Sequence, residues 1–321
     1  MADVISNRLG LVEVVKRHDP NGNLATIAEV LAQTNEIVAD AVWKEGNDMF
    51  SNKTVRRSSL PTGTWRKLNR GVAAEKSDTV ELIDTIGILE SRAENDVEII
   101  NAFSNPQQAR MDEAASFIEG LSQTMAGKML YGNALTAPEE FTGLAARMDT
   151  LAAGENVIGG GGSTTLTSIY VVTWGPNSVF MAYPRNTSGG LQHEDLGIDD
   201  AADAAGNKFR AYVDRFVWRA GMVVKNARCI GRYANLEPTG TTTTFDEDEL
   251  IRLTNRMVLG PGSRIYCSTD MMTQMQIRLK DKSNVYFTRD QGLDGGGPVL
   301  RFNGIPVRKV EQILDTETAI A

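Results

Sequence analysis

Residues 105–132 read NPQQARMDEAASFIEGLSQTMAGKMLYG, a long helix with both of its ends written in the sequence. Asn105 is a natural N-cap, because its side-chain oxygen can accept from the open amides of a first turn. Pro106 suits the first helical position, where no amide hydrogen is needed, and Gly132 is placed to end the helix. Between them Met111, Ala114, Ala115, Ile118, Leu121, Met125 and Met129 recur at three-and-four spacing and form one apolar stripe. The spacing predicts a helix over 106–131, on the order of 35–40 Å long. Gly120 and Gly127 lie seven apart, nearly on one face, and each costs roughly 1 kcal/mol of helix propensity relative to Ala. Both are therefore read as notches where another backbone approaches closely.

On the N-terminal side, Leu24, Ile27, Ala28, Leu31, Val38, Ala41 and Val42 recur at helical spacing after the turn Asp19-Pro20-Asn21-Gly22. Ser51 to Leu60 is polar and basic, Pro61-Thr62-Gly63-Thr64 is a turn, and Thr79 to Leu89 is rich in β-branched residues. This is a projecting hairpin with few apolar positions on its outgoing strand. A two-stranded hairpin is at best marginally stable alone in water, so it must lie on something else.

On the C-terminal side, Pro138-Glu139-Glu140-Phe141 leads into a short helical piece ending near Leu151, then a glycine-rich loop over 154–163. Thr165 to Pro184 alternates like two strands around the turn Gly175-Pro176-Asn177. Gly189 to Asp203 reads as loop, and Phe209 to Arg232 as a long strand interrupted at Gly221. Helices follow over Phe245–Met257 and Thr269–Lys280, and short strands around Val285–Phe287, Val299–Phe302 and Ile305–Val307. The fold class is α+β with long extensions.

The chemistry offered by individual residues is weak. Gly159-Gly160-Gly161-Gly162-Ser163-Thr164 places Gly162 where a phosphate-binding loop needs its lysine, so it reads as a flexible surface loop. Asp246-Glu247-Asp248-Glu249 suits a helix start, with Thr244 and Glu247 as a capping box, better than a cation site. His18 and His193 sit in polar stretches and read as solvated surface; Cys229 and Cys267 read as small packing residues. No catalytic, cofactor or metal constellation emerges. With net charge −8, the chain is a poor candidate for gripping a phosphate backbone, although an acidic wall suits a container for DNA. Met1-Ala2-Asp3-Val4 carries an acid where a signal peptide starts basic, so the expected setting is a cytoplasm.

Taken in order, these elements resemble the major capsid proteins of tailed bacteriophages with the Hong Kong 97 type of fold. The most specific match is the helix leading into Tyr131-Gly132-Asn133 and then Pro138-Glu139-Glu140-Phe141-Thr142-Gly143-Leu144. Tyr212 to Leu236, with Trp218 and Arg232-Tyr233-Ala234-Asn235-Leu236, resembles the long strand of the Epsilon 15-like short-tailed branch. Phe302-Asn303-Gly304-Ile305-Pro306-Val307 resembles the closing strands of the axial domain.

The resemblance implies an N-arm over 1–50 and an extended loop over 51–93. It implies a peripheral domain over 94–150, with the spine helix, and over 208–240, with the long strand. The axial domain would take 151–207 and 241–321. It implies a non-enzymatic subunit that self-assembles into pentamers and hexamers of an icosahedral shell around double-stranded DNA, in the virion, after assembly in the host bacterial cytoplasm. Scaffold, portal and decorating proteins are the implied partners, with no membrane and no cofactor. Arg56, Arg57, Trp65, Lys67 and Arg70 of the extended loop would meet a neighbouring subunit, and Gly120 and Gly127 would pack the spine helix. An encapsulin-like nanocompartment shell and a soluble α+β hydrolase or binding protein remain the alternatives.

Overall fold

The computed structural model describes residues 33, 35–151, 156–203, 205–239, 243–279, 287–290 and 299–321. The chain enters through a short helix α1 (Glu36–Asp40) and strand β1 (Trp43–Glu45). Next come β2 (Ser51–Arg57), β3 (Thr79–Thr85), β4 (Gly87–Asp96), α2 (Val97–Asn101) and the long helix α3 (Pro106–Tyr131). One helical turn, α4 (Leu144–Arg147), precedes β5 (Val157–Gly159), β6 (Thr167–Thr173), β7 (Val179–Tyr183), β8 (Leu191–Ala202), β9 (Lys208–Val224) and β10 (Ile230–Leu236). The last part holds α5 (Glu247–Arg256), β11 (Ser263–Cys267), α6 (Thr269–Leu279), β12 (Phe287–Asp290), β13 (Val299–Phe302) and β14 (Ile305–Lys309). The helical pattern from Leu24 lies mostly outside the described residues, as does His18.

The strands form a five-stranded sheet, a seven-stranded sheet and the isolated pair β2–β3. In the first, β9 is the spine: β4 flanks it on one side, and β7 and β8 share the other. In the second the order is β12-β13-β14-β11-β6-β10-β5. One core cluster joins both sheets through the C-terminal half of α3, where Met125, Met129 and Leu130 meet Trp218 and Met222 on one side and Tyr170 and Tyr266 on the other. The opposite face of the seven-stranded sheet is covered by α5 and α6 through Leu250, Leu253, Met271 and Met275.

Helix α3 has the bounds that its sequence predicts. The Asn105 side chain accepts from the Gln108 amide at 3.3 Å, and Gly132 ends the helix. Gly132 has an ordinary negative φ; it is glycine because a Cβ there would meet the carbonyl oxygens of Phe141 and Lys128 at 2.5 and 2.6 Å. Gly143 sits under the open end of the same helix, where a Cβ would lie 2.7–2.9 Å from the carbonyl oxygens of Lys128, Met129 and Leu130. The Phe141-Thr142-Gly143-Leu144 passage is thus the piece of chain that can fold back against the helix terminus, held by the Gly143 amide donating to the Gly132 carbonyl at 2.8 Å.

Several expectations are corrected. The apolar stripe of α3 is buried only at Leu121, Met125 and Met129; Met111 is 65% and Ile118 44% exposed, because the N-terminal half rests on the sheet mainly through Phe117 stacked on Phe216. Within the subunit neither helix glycine is a backbone notch: a Cβ at Gly120 would meet nothing within 4 Å, and one at Gly127 only the Gln312 side chain at 3.3 Å. Residues 191–202 are a strand, not a loop. Gly221 does not interrupt β9; the strand runs through it, and the missing Cβ admits Thr85, whose carbonyl oxygen would lie 2.3 Å away. The long run then ends at Val224, and β10 belongs to the other sheet. Helix α5 is capped by Asp246, accepting from the Asp248 amide at 3.1 Å, rather than by Thr244.

The C-terminal tail is fastened into the junction of the two sheets. Glu317, with its side chain 4% exposed, receives the Arg232 guanidinium at 2.8 Å, the Tyr131 hydroxyl at 2.5 Å and the Tyr170 hydroxyl at 3.1 Å, and also the Ser168 hydroxyl. Burial and the adjacent carboxylate push both tyrosine hydroxyls far above their ordinary range, so they stay protonated donors. Asn235 adds a two-way clasp, donating to the Ile320 carbonyl and accepting from its amide.

Candidate assembly interface

The expected interface residues all sit on one arm. β2 and β3 pair antiparallel from Ser51↔Thr85 to Arg57↔Thr79, and every residue from Val55 to Glu81 is exposed. Beyond the strands the two limbs stay together: the Ser58 amide donates to the Asp78 carbonyl at 2.9 Å and the Gly63 amide to Glu75 Oε2 at 3.0 Å. The tip carries large apolar side chains with no cover, Trp65 fully exposed and Leu68 90% exposed. Exposing such side chains forgoes roughly 1.5–3 kcal/mol each relative to burial, a loss that a neighbouring surface would recover.

The base of the arm is rigid where its tip is bare. Asp84, buried on β3, accepts from Arg147 Nη2 at 2.7 Å, and the same guanidinium reaches the Met222 carbonyl at 3.0 Å. Asn47 pins β2 by accepting from the Lys53 amide at 2.8 Å and donating to its carbonyl at 2.6 Å. The Ile86 amide donates to the Phe50 carbonyl at 2.9 Å, closing the root. An arm held in one direction by its root loses less entropy on docking than a free loop would.

Charge separates arm from body. Residues 51–78 hold Lys53, Arg56, Arg57, Arg66, Lys67, Arg70 and Lys76 against Glu75 and Asp78, a net +5. The whole chain is −8, so the remainder is −13. One acidic surface is β8, which the sequence reading missed: Glu194, Asp195, Asp199 and Asp200 lie along it, and among the described residues its outer edge has no strand partner. Its absence of regular alternation, with both faces polar, is why it did not read as a strand. The Arg110 guanidinium of α3 bridges Asp195 and the buried Asp214 at 2.9 Å each, and its hydrogen bond holds the Asp195 carboxyl below the usual range.

The remaining candidates resolve into packing. His193 is exposed, as its polar setting suggests, and is also partnered: Nε2 lies 2.9 Å from Asp214 Oδ1, and the ring stacks on Phe216 at 4.7 Å. The glycine run is not a loose loop, since the Gly160 and Gly162 amides donate to the Ala234 and Asn235 carbonyls of β10 at 2.7 and 2.9 Å. Cys229 and Cys267 are buried and unpaired, and burial pushes the Cys267 thiol up to about 12. Among the described residues no group of His, Cys, Asp and Glu is arranged to hold a metal ion.

Residues 19–321 match the protein family described as Major capsid protein GP7. The chain belongs to that family. A chain of the cryo-EM structure of bacteriophage Epsilon15 superposes with a TM-score of 0.73 at 29% identity, over 100% of this chain and 99% of that one. The SrpI encapsulin of Synechococcus elongatus PCC 7942 (TM-score 0.48, 12% identity, 71% of this chain and 96% of that one) and the bacteriophage JBD30 capsid (0.47, 11%, 90% and 95%) are too distant to carry an argument. No curated protein sequence matches significantly. This major capsid protein has the Hong Kong 97 type of fold and is a structural shell subunit of the virion, not an enzyme.

Proposed function

We propose that the shell is built by the 51–85 arm of each copy lying across the next, forming the pentamers and hexamers of an icosahedral capsid around double-stranded DNA. The single observation that carries this is a rigidly rooted arm, exposed from Val55 to Glu81, whose residues 51–85 are net +3 on a body of net −11. Complementary charge steers such contacts and fixes their register, and the large interfaces of obligate assemblies, roughly 2,000–5,000 Å², are reached more easily by overlapping arms than by flat faces. The acidic body contributes a wall that does not grip phosphate.

In this reading residues 1–50 are an N-arm, 94–150 and 208–240 form a peripheral domain, and 241–321 with 151–207, apart from β7 and β8, an axial one. β7 and β8 go with the peripheral domain, because they hydrogen-bond to β9. Scaffold, portal and decorating proteins, and assembly in the host bacterial cytoplasm, complete it. The test reverses the tip charges with Arg66→Glu, Lys67→Glu and Arg70→Glu. The expected result is a folded subunit that forms no shells in electron micrographs; shells in normal yield would overturn the proposal.

A further inference from the structure

At the root of each arm lies an apolar groove that nothing in the same subunit fills. Gly87 and Leu89 of β4, Met125 of α3, Phe141, and Trp218 and Ala220 of β9 enclose a cavity of about 150 Å³. A dry cavity of about that size holds a benzene-sized ring, and because this one is open on one side an indole can seat its six-membered ring and keep the rest at the mouth. The indole N–H of Trp218, 7% exposed, is buried without a hydrogen-bond partner among the described residues. Around the rim stand the exposed Ile88, the exposed carboxylate of Glu139, and Glu140, which is ion-paired with Lys128.

From these features we infer that the groove is the socket for Trp65 of a second copy, a deepening of the arm proposal that rests on that reading. Trp65 is the most exposed large apolar side chain in the described chain, and Arg66 and Lys67 follow it directly, placed to meet Glu139 and Glu140. Fully exposed at the tip, it does not fill the groove of its own subunit. The arm leaves the body beside Gly87, its paired strands run from Ser51 to Arg57, about 20 Å at roughly 3.3 Å per residue, and the tip lies beyond them. A knob at the tip and a socket at the root of one molecule make a head-to-tail contact, which closes into a ring when the rotation allows. The arms of a capsomer then form one cycle, each Trp65 seated beside the root of the next arm.

The test keeps Trp65 and places cysteines beside knob and socket, Thr64→Cys with Ile88→Cys, in assembled shells treated with a short bis-maleimide. The native cysteines are buried and stay silent. The expected result is a ladder of covalent oligomers ending at pentamers and hexamers, seen only in the double variant. Normal shells without a ladder would overturn the socket and leave the arm proposal standing. If the double variant builds no shells, Trp65→Ala against Trp65→Phe decides. Loss of an aromatic anchor weakens subunit association about thirtyfold, so Ala should abolish shells at concentrations where Phe still forms them. Equal yields from the two would overturn the inference.

Discussion

Replacing Glu317 by Gln should be among the most damaging single changes in this chain outside its apolar core. The carboxylate is 4% exposed and faces a guanidinium that is 5% exposed at 2.8 Å. Arg232 also donates to Ser168 Oγ at 3.1 Å and to the Met148 carbonyl at 2.9 Å, so it cannot swing out to water without breaking both. Gln keeps one acceptor but no charge, and the guanidinium is left buried and uncompensated. Breaking a buried pair in this way costs about 3–5 kcal/mol, a large part of the roughly 5–15 kcal/mol by which domains are stable. An unfolding entropy of about 2.1 cal/mol/K per residue over 321 residues converts that into a fall in Tm of about 4–7 °C. Thermal unfolding of the unassembled subunit at pH 7 measures it. The double variant Arg232→Met, Glu317→Leu removes both charges and should lose less than the two single changes added together, since no buried ion remains. A Tm within a degree of wild type for Glu317→Gln, or costs that simply add, would show that the pair is not a buried, coupled ion pair.

Other outcomes follow from the same structure. Gly120→Ala should stabilise the isolated subunit by up to about 1 kcal/mol, because its Cβ meets nothing; a lower Tm would contradict this. Gly143→Ala should destabilise it by about 1–3 kcal/mol through overpacking, because the Cβ meets three carbonyl oxygens that belong to backbone; urea midpoints compare the two. Gly127→Ala should fall between them, since the atom it meets is the end of the Gln312 side chain. With its thiol pushed up to about 12, Cys267 should resist alkylation at pH 8 and react only once the chain is unfolded, as mass spectrometry of the modified protein will show.

What the sequence made legible was local. Cap, proline and terminal glycine set both ends of α3, and the turn chemistry before Val179 separated β6 from β7, because each depends on residues a few positions apart. Two kinds of feature were hidden. β8 is polar on both faces and takes its order from β9 rather than from any core, so periodicity had nothing to detect. Gly132, Gly143 and Gly221 are explained by carbonyl oxygens arriving from elsewhere in the fold, whereas Gly120 and Gly127 suggested such contacts by spacing alone and have none within the subunit. The pairing of Arg232 with Glu317 spans 85 positions and had no local trace. The arm was legible as a hairpin lacking an apolar face, and its tip as a basic run around Trp65. The socket was not, since it is assembled from β4, α3, the passage after α3, and β9.

Arm-driven assembly is decided by sedimentation of a subunit lacking Ser58–Asn69 beside the wild type. Those residues are all exposed and hydrogen-bond to the arm's own limbs, and shortening a surface loop costs little folding stability. The expected result is a folded species with wild-type Tm that sediments as free subunits or small oligomers, while the wild type sediments as shells. Shells in normal yield from the shortened chain would contradict it.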